Sequence, residues 1–178
     1  MKHVSVRCGL LSLVCGLIVL LCLVSAARAD YWVVNLDAVN NGSSPPTSPG
    51  PVVLTLAPGS YTVTPIQGTY TAWNAWDGSV AGGAGWLNRY TVAYGLTKTL
   101  ISDNGIYGTP GDAFLHALSY HFALSEPTQV LFSISDSVYS DNVGGMSLRV
   151  SAVPLPCSVL LLAPGLITLA ASRRKFKK

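Results

Sequence analysis

Cysteine is missing from most of this chain. Its four cysteines are confined to the two ends, at Cys8, Cys15 and Cys22 and then at Cys157. Residues 30–152 therefore contain no disulfide and no thiolate metal site. A body of that length suits one domain with a modest core. We expect packing to hold it together, alone or with a bound ion.

Charge is also scarce, since charged residues make up 11% of the chain. The formal net charge of +3 comes from the two ends, because residues 30–152 carry all eight acids and only three cations, Arg89, Lys98 and Arg149. An acidic body offers no cationic surface that would release counterions from a nucleic acid. We therefore expect no nucleic-acid partner.

Familiar catalytic motifs are absent as well. Residues 30–152 contain no G-x-S-x-G turn, no P-loop and no cysteine nucleophile. His116 and His121 are five residues apart, whereas a helical zinc pair needs a spacing of four, so each is predicted to be a satisfied surface or core histidine. Asp103 and Asp112 flank a Gly/Pro loop, and the sequence does not pair them as glycosidase acids. The sequence predicts a protein that is not an enzyme.

The N-terminal segment, residues 1–29, has the organisation of a secretory signal peptide. Two cations precede an apolar run from Cys8 to Val24, and Ala27 and Ala29 supply the small-x-small pattern of a cleavage site. This order predicts removal by signal peptidase, so that the exported chain begins at Asp30.

The C-terminal segment, residues 153–178, is made of three physically different pieces. A proline-stiffened break ends the preceding fold, an uncharged run from Cys157 to Ala171 follows, and a cationic stretch closes the segment. The run is shorter than the roughly 20 residues of a full membrane span. A helix would nevertheless satisfy its backbone in lipid, and the cations would keep their end cytoplasmic. The break is Val153, Pro154, Leu155 and Pro156, and the cations are Arg173, Arg174, Lys175, Lys177 and Lys178.

This three-part tail resembles the PEP-CTERM sorting signal of proteins handled by exosortases, with Leu155 in place of the glutamate of the usual Val-Pro-Glu-Pro motif. The resemblance implies that a C-terminal transmembrane helix anchors the chain in the inner membrane until an exosortase-type enzyme cuts near the motif. The body would then reach the cell envelope, the outer surface or the extracellular matrix. An ordinary tail anchor or stop-transfer helix is the alternative, and a buried helix of a soluble domain is less favoured.

The pattern of residues 30–152 predicts short strands separated by turns. Val52–Leu56 and Tyr61–Pro65 flank a Pro-Gly turn, which predicts a β-hairpin. Met146–Ala152 alternates apolar and polar residues, as a half-buried strand does. The fold class expected is all-β, a small antiparallel β-sandwich of jelly-roll or lectin-like type. The other predicted strands are Tyr31–Val39 and Val130–Ser135, and the one plausible helix is Asp112–Ser119.

Two stretches show no clear strand periodicity: Gly68–Gly95, which is rich in glycine and tryptophan, and Lys98–Gly111, which is predicted to be a loop. The first stretch carries large aromatic residues that could stack on sugar rings. A small sandwich without disulfides also needs large side chains to fill its core, and burial is the favoured interpretation for each of them. These aromatic residues are Trp73, Trp76, Trp86, Tyr90 and Tyr94.

A loop of unusual composition precedes the last predicted strand. Residues 136–145 read D-S-V-Y-S-D-N-V-G-G. Calcium takes six to eight oxygen ligands from carboxylates, amides and backbone carbonyls, and this loop is rich in such groups. An asparagine followed by two glycines is also typical of a plain hairpin turn. From the residues alone the turn is favoured.

The same residues, followed by the alternating strand, resemble the end of the PA-IL-like galactophilic lectins, small β-sandwiches in which calcium holds a sugar. The resemblance implies that Asp136 binds calcium through its side chain, Val138 through its carbonyl, and Asp141 with Asn142 as a pair. Residues 57–63 resemble the hairpin of that family, which implies a further carbonyl ligand near Ala72. Calcium is therefore the expected cofactor of a lectin-like chain.

The sequence as a whole predicts an exported, non-enzymatic protein of the cell surface or extracellular matrix, associated with exopolysaccharide or biofilm. The alternative is a calcium-dependent carbohydrate-binding module that recognises a glycan. A third and distant alternative is an uncatalogued polysaccharide hydrolase. The expected partners are signal peptidase, an exosortase-type enzyme, the membrane before processing, and an exopolysaccharide or other glycan.

Overall fold

A computed structural model describes residues 30–42, 50–80 and 85–154 of the chain. Within these residues lie ten β-strands and one short α-helix. The predicted signal peptide, including Ala27 and Ala29, lies outside the described residues, as do Leu155, Pro156, the apolar run and the cationic end. The strands are β1 Tyr31–Asp37, β2 Val52–Leu56, β3 Gly59–Ile66, β4 Trp73–Asn74, β5 Trp86–Leu87, β6 Tyr90–Tyr94, β7 Thr97–Ile101, β8 Tyr120–Leu124, β9 Thr128–Ser133 and β10 Val143–Val153, and the helix is α1 Pro110–Leu115.

The longest strand, β10, organises a six-stranded sheet. One edge of β10 pairs with β1, with Tyr31 opposite Ser151. Its other edge pairs first with β4 and then with β3, where Ser147 lies opposite Ile66. Beyond these neighbours, β5 pairs with β4 and β8 pairs with β3.

The second sheet has four strands in the order β2-β9-β6-β7. Every pair of named strands in both sheets is antiparallel. Apolar side chains from both sheets meet in one hydrophobic core, for example Leu36 and Leu148 from the first sheet and Val130 and Phe132 from the second. The prediction of an all-β, sandwich-like fold with antiparallel sheets is confirmed.

Period-two alternation decides which side chains of β10 enter the core. Met146, Leu148 and Val150 are completely buried, whereas Arg149 between them is exposed. This confirms the two faces that the sequence predicts, except that Ser147 on the outward side is also buried. The strand begins three residues before the predicted Met146, because Val143 and Gly144 pair with β4.

The predicted β-hairpin of Val52–Leu56 and Tyr61–Pro65 is wrong. The first segment, β2, pairs with β9 in the four-stranded sheet, while the second, within β3, pairs with β10 and β8 in the other. The intervening Pro58 has no N–H to give to a ladder, and Leu56 and Tyr61 point into the same core from opposite sheets. The Tyr61 hydroxyl donates to the Ala57 carbonyl over 2.8 Å, and this hydrogen bond stabilises the turn by which the chain passes from β2 in one sheet to β3 in the other.

Several other strands differ from the sequence prediction, most clearly where a strand is too short to show a hydrophobic period. β4 and β5 have two residues each, too few to show any period, and with β6 they lie in the stretch Gly68–Gly95. β7 occupies the start of the predicted loop Lys98–Gly111, and β8 was not predicted. The first strand ends at Asp37 rather than Val39, because the Asp37 carboxylate accepts hydrogen bonds from the N–H groups of Val39 and Asn40.

The helix starts earlier than the predicted Asp112. The Thr109 hydroxyl accepts a hydrogen bond from the Asp112 N–H over 3.1 Å, so Thr109 is the N-cap. Pro110 fits the first turn, where its missing N–H has no intrahelical partner. The helix ends at Leu115 instead of extending to Ser119.

Candidate functional site

The predicted calcium ligands lie in the connection between β9 and β10, residues 134–142. Its first residue, Ile134, is completely buried and its N–H donates to the Asn41 carbonyl over 2.8 Å. Because β9 pairs with β2 and β6 whereas β10 pairs with β1, β3 and β4, the connection joins the two sheets. The interpretation of residues 136–145 as a plain hairpin turn is therefore wrong.

The end of this connection is fastened to the segment around β4. The Asp77 N–H donates to the Asp141 carbonyl over 2.6 Å, and the Gly145 N–H donates to the Ala72 carbonyl over 3.2 Å. The backbone at Gly144 has a positive φ of 83°, and a Cβ there would lie 2.6 Å from the Ala72 oxygen. Ala72 thus lies beside the end of the loop, and its carbonyl is hydrogen-bonded to Gly145.

Two side-chain oxygens in the loop are buried without a hydrogen-bond partner: Oδ1 of Asp141 and Oδ1 of Asn142. The Asn142 side chain is 4% exposed, and its Nδ2 donates to the Ala38 carbonyl over 3.1 Å. Leaving a buried polar atom unpaired costs about 1–3 kcal/mol, and more for a charged group. Two such oxygens on adjacent residues are groups that a hard cation would bind.

The other two predicted ligands lie at the start of the loop and are more open. The Asp136 carboxylate accepts the Ser137 N–H over 2.7 Å, and Val138 is 50% exposed. The buried Tyr139 joins the two halves, since its hydroxyl accepts from the Asp136 N–H and its carbonyl accepts from the Asn142 N–H. The structure brings Asp141 and Asn142 close to the Ala72 segment, and Tyr139 links Asp136 to Asn142.

In the part of the chain that the structure describes, no three His, Cys, Asp or Glu side chains are grouped so that they could hold a metal ion. The candidate site contains only two carboxylates, Asp136 and Asp141. It would therefore depend on the Asn142 amide oxygen and on backbone carbonyls for its remaining ligands. Calcium tolerates such a mixture of oxygens, whereas zinc prefers nitrogen and sulfur.

The aromatic residues divide into core and surface. Trp73 and Tyr90 are completely buried, and Trp73 donates its Nε1 hydrogen to the Arg89 carbonyl over 3.1 Å. Burial is thus confirmed for these two, while Trp86 and Tyr94 are half-buried. Trp76 is 46% exposed and adjoins Asp77, whose N–H bonds the loop at Asp141. Trp76 is the most exposed of these five aromatic residues.

A second polar cluster, which the sequence did not predict, joins the loop after β7 to α1. The Tyr107 hydroxyl donates to the Asp103 carboxylate. The His116 ring stacks on Tyr107 at 4.6 Å between centroids, and its Nδ1 lies 3.9 Å from Asp103 Oδ2. His116 is therefore a satisfied surface histidine, as the sequence predicts.

The electrostatics of this cluster favour a structural role. Burial alone would raise the pKa of Asp103, but the hydrogen bonds from Tyr107 and Gly105 outweigh it and hold that pKa below its usual value. The hydrogen bond to Asp103 raises the pKa of Tyr107 to about 12. Near neutral pH the carboxylate is ionised and the phenol is protonated, so neither group is poised to exchange a proton.

Comparisons of the chain with protein-family models, with curated proteins and with solved structures found no match. None of the described residues form a helix that is long and apolar enough to cross a membrane.

Proposed function

We propose that this chain is an exported, non-enzymatic protein of the cell surface or extracellular matrix whose body holds calcium in the loop Asp136–Asn142. The observation that carries the calcium site is the pair of buried, unpartnered oxygens on Asp141 and Asn142. The proposal of export and exosortase processing is supported by the signal-peptide pattern and by the tail that resembles PEP-CTERM signals.

The position of the loop explains what calcium would do for the protein. The loop joins the two sheets, and its end is hydrogen-bonded to the Ala72–Asp77 segment. An ion bound to Asp141 and Asn142 would satisfy two desolvated oxygens at this junction and stabilise the folded state by mass action. Such a gain suits an exported body that has no disulfide to constrain it.

A second candidate function is calcium-dependent glycan binding, as the resemblance to PA-IL-like lectins implies. The observation that favours it is the exposed Trp76, one residue from the Asp77 N–H that bonds the loop. In a lectin-like sandwich of this kind, the ion would bind sugar hydroxyls and the tryptophan would stack on the ring. Galactose binding that requires calcium and is lost in Trp76→Ala would support this function, whereas binding in chelator would contradict it.

Calcium binding by the full chain, purified in a mild detergent, tests the main proposal. Isothermal titration should show one calcium site, and the double change Asp136→Asn with Asp141→Asn should abolish it. Glu126→Gln is the matched control, because Glu126 is an exposed acid in the turn before β9 and its removal should leave binding unchanged. A flat titration of the unaltered chain would overturn the calcium site and leave only the structural matrix role.

Processing is tested separately in a host that has an exosortase. Changing Pro154 and Pro156 to Ala should block cleavage near the motif while leaving membrane insertion intact. Replacing the five cations of the tail by Ser should instead let the tail pass through the membrane. N-terminal sequencing of the exported species should find Asp30 first. If both tail variants mature at the rate of the unaltered chain, the tail is an ordinary anchor.

A further inference from the structure

The outward side of the six-stranded sheet carries an exposed surface that the calcium site does not use. Strand register places alternate residues of β1, β10, β3 and β8 on this side: Tyr31 lies opposite Ser151, which lies opposite Thr62, which lies opposite His121. The next row contains Val33, Arg149 and Thr64. We call Tyr31, Val33, Thr62, Thr64, His121 and Arg149 the outer face.

The centre of the outer face is an arginine with no acidic partner. Arg149 is exposed, and it forms no ion pair with any described residue. Its Cζ lies 5.1 Å from the centre of the Tyr31 ring, and Tyr31 is itself 60% exposed. Arg89 makes the same kind of contact with Trp73, but that ring is completely buried in the core. Arg149 therefore presents its guanidinium to solvent beside an aromatic ring.

Beside the apolar Val33, the rest of the outer face carries hydroxyl and imidazole groups that can form hydrogen bonds. The Thr62 hydroxyl and the His121 Nδ1 lie 2.9 Å apart, and the Thr64 hydroxyl contacts that of Ser119. Neighbouring strands are about 4.8 Å apart, so the row from Tyr31 to His121 spans roughly 14 Å. The carboxylate of Asp37, at the far end of β1, accepts a hydrogen bond from the Tyr70 hydroxyl and forms no ion pair with Arg149.

These groups match one ligand chemistry. A planar guanidinium binds a carboxylate through two parallel hydrogen bonds, an exposed tyrosine ring stacks on an apolar ring face, and a row of hydroxyl and imidazole groups exchanges hydrogen bonds with sugar hydroxyls. We propose that the outer face binds an acidic polysaccharide, with a sugar carboxylate on Arg149 and the same or the adjoining sugar ring on Tyr31. This site is separate from the loop and does not use calcium.

An anionic membrane surface fits the outer face less well. Protein segments that bind acidic lipids use clusters of about four to eight cations, and the outer face has one. Its other groups are hydroxyls, an imidazole, a valine side chain and an aromatic ring, which suit a ring with hydroxyl groups better than a surface of negative charge.

The probe is oligogalacturonate, and its methyl ester is the matched ligand, since esterification removes the charge and keeps the rings. Binding is measured by titration with the full chain in mild detergent, first in chelator and then in excess calcium. The acid form should bind and the ester should bind at least about tenfold more weakly. Arg149→Gln and Tyr31→Ala should each weaken binding of the acid about tenfold or more, whereas Tyr31→Phe should retain it because the ring is kept.

Lys98→Gln is the matched protein control, because Lys98 is an exposed cation on β7 of the other sheet. It should leave the affinity unchanged. Equal losses in Lys98→Gln and Arg149→Gln would show general attraction between charges and overturn the proposal. So would equal binding of the ester, absence of binding, or binding to phosphatidylglycerol vesicles without binding to the oligosaccharide. Binding that appears only with calcium would assign the glycan to the Asp136–Asn142 loop instead.

Discussion

Asp103 and Asp141 both lie in polar connections that follow a strand, yet their side chains end in opposite environments. The Asp103 carboxylate accepts hydrogen bonds from the Tyr107 hydroxyl and the Gly105 N–H. Oδ1 of Asp141 is buried and has no partner. The first carboxylate is satisfied by its own loop, so it stabilises that loop. The second has one buried oxygen, Oδ1, for which the described residues supply no hydrogen-bond partner, so a bound ion or water could occupy that position.

The two connections also differ in what they join. The loop after β7 leads into α1 and is locked by the stack of His116 on Tyr107. The connection from β9 to β10 crosses from one sheet to the other and is held at its end by the Ala72–Asp77 segment. In the loop after β7, neighbouring residues of the same loop supply hydrogen-bond partners for the buried polar atoms. In the connection between the sheets, two buried side-chain oxygens have no such partner.

The largest effect of a single substitution is expected at Gly144, where the backbone of β10 meets the Ala72 carbonyl. Gly144→Ala should lower the free energy of unfolding by about 2 kcal/mol or more, because it adds a methyl group at a positive φ and 2.6 Å from a backbone oxygen. Gly78→Ala is the control: its φ is 74° but nothing lies within 4 Å of its Cβ position, so it should cost only about 1 kcal/mol. Denaturant unfolding of the two variants checks the difference, and equal losses would refute the close contact.

An effect of intermediate size is expected when Asp103 and Asp141 are each replaced by Asn and the free energies of unfolding are compared in chelator. Asp103→Asn should destabilise the protein by about 1 kcal/mol, because it weakens hydrogen bonds that the ionised group accepts. Asp141→Asn should cost less than about 0.5 kcal/mol, because Oδ1 of Asp141 accepts no hydrogen bond whose loss would destabilise the protein. The measurement is the midpoint of urea unfolding. A larger loss in Asp141→Asn than in Asp103→Asn would contradict the contrast.

The smallest effect is expected on acidification. Burial alone would raise the pKa values of Asp103 and Asp37, but the hydrogen bonds from the Tyr107 and Tyr70 hydroxyls and from backbone N–H groups together outweigh it and hold both pKa values below the usual value. The stability they contribute is therefore complete above the ordinary carboxyl pKa of about 4 and is lost as the pH falls through the lowered folded pKa. The melting temperature should fall below about pH 4, and less steeply in Tyr70→Phe with Tyr107→Phe. An unchanged slope in that variant would exclude these hydrogen bonds as the cause.

The sequence is informative about the fold where the relevant interactions are local. The alternation of Met146, Leu148 and Val150 predicts the buried side of β10 because side chains of a strand alternate wherever it lies. The pairing of Val52–Leu56 is not local: its partner is β9, more than seventy residues later. A Pro-Gly turn is compatible with a hairpin and with a corner between sheets, so the sequence could not distinguish them.

The candidate site shows the same limit. The residue types of Asp136, Asp141 and Asn142 indicate oxygen ligands, and a family resemblance adds Ala72. The burial of Asn142 depends on contact with Ala38, which is more than a hundred residues away, and no local pattern reveals it. The cluster of Asp103, Tyr107 and His116 was missed for a similar reason, since the loop and the helix that form it meet only in the folded chain.

The calcium response of the two aspartate variants tests the central claim most directly. Melting temperatures of the full chain, Asp103→Asn and Asp141→Asn are measured in chelator and in excess calcium. At about a hundredfold excess over Kd, calcium should add about 2.7 kcal/mol to the stability of the unaltered chain and of Asp103→Asn, a shift of several degrees. Asp141→Asn should show no shift. A flat response of the unaltered chain, or an equal response in Asp141→Asn, would contradict the assignment of the unpartnered oxygens to a calcium site.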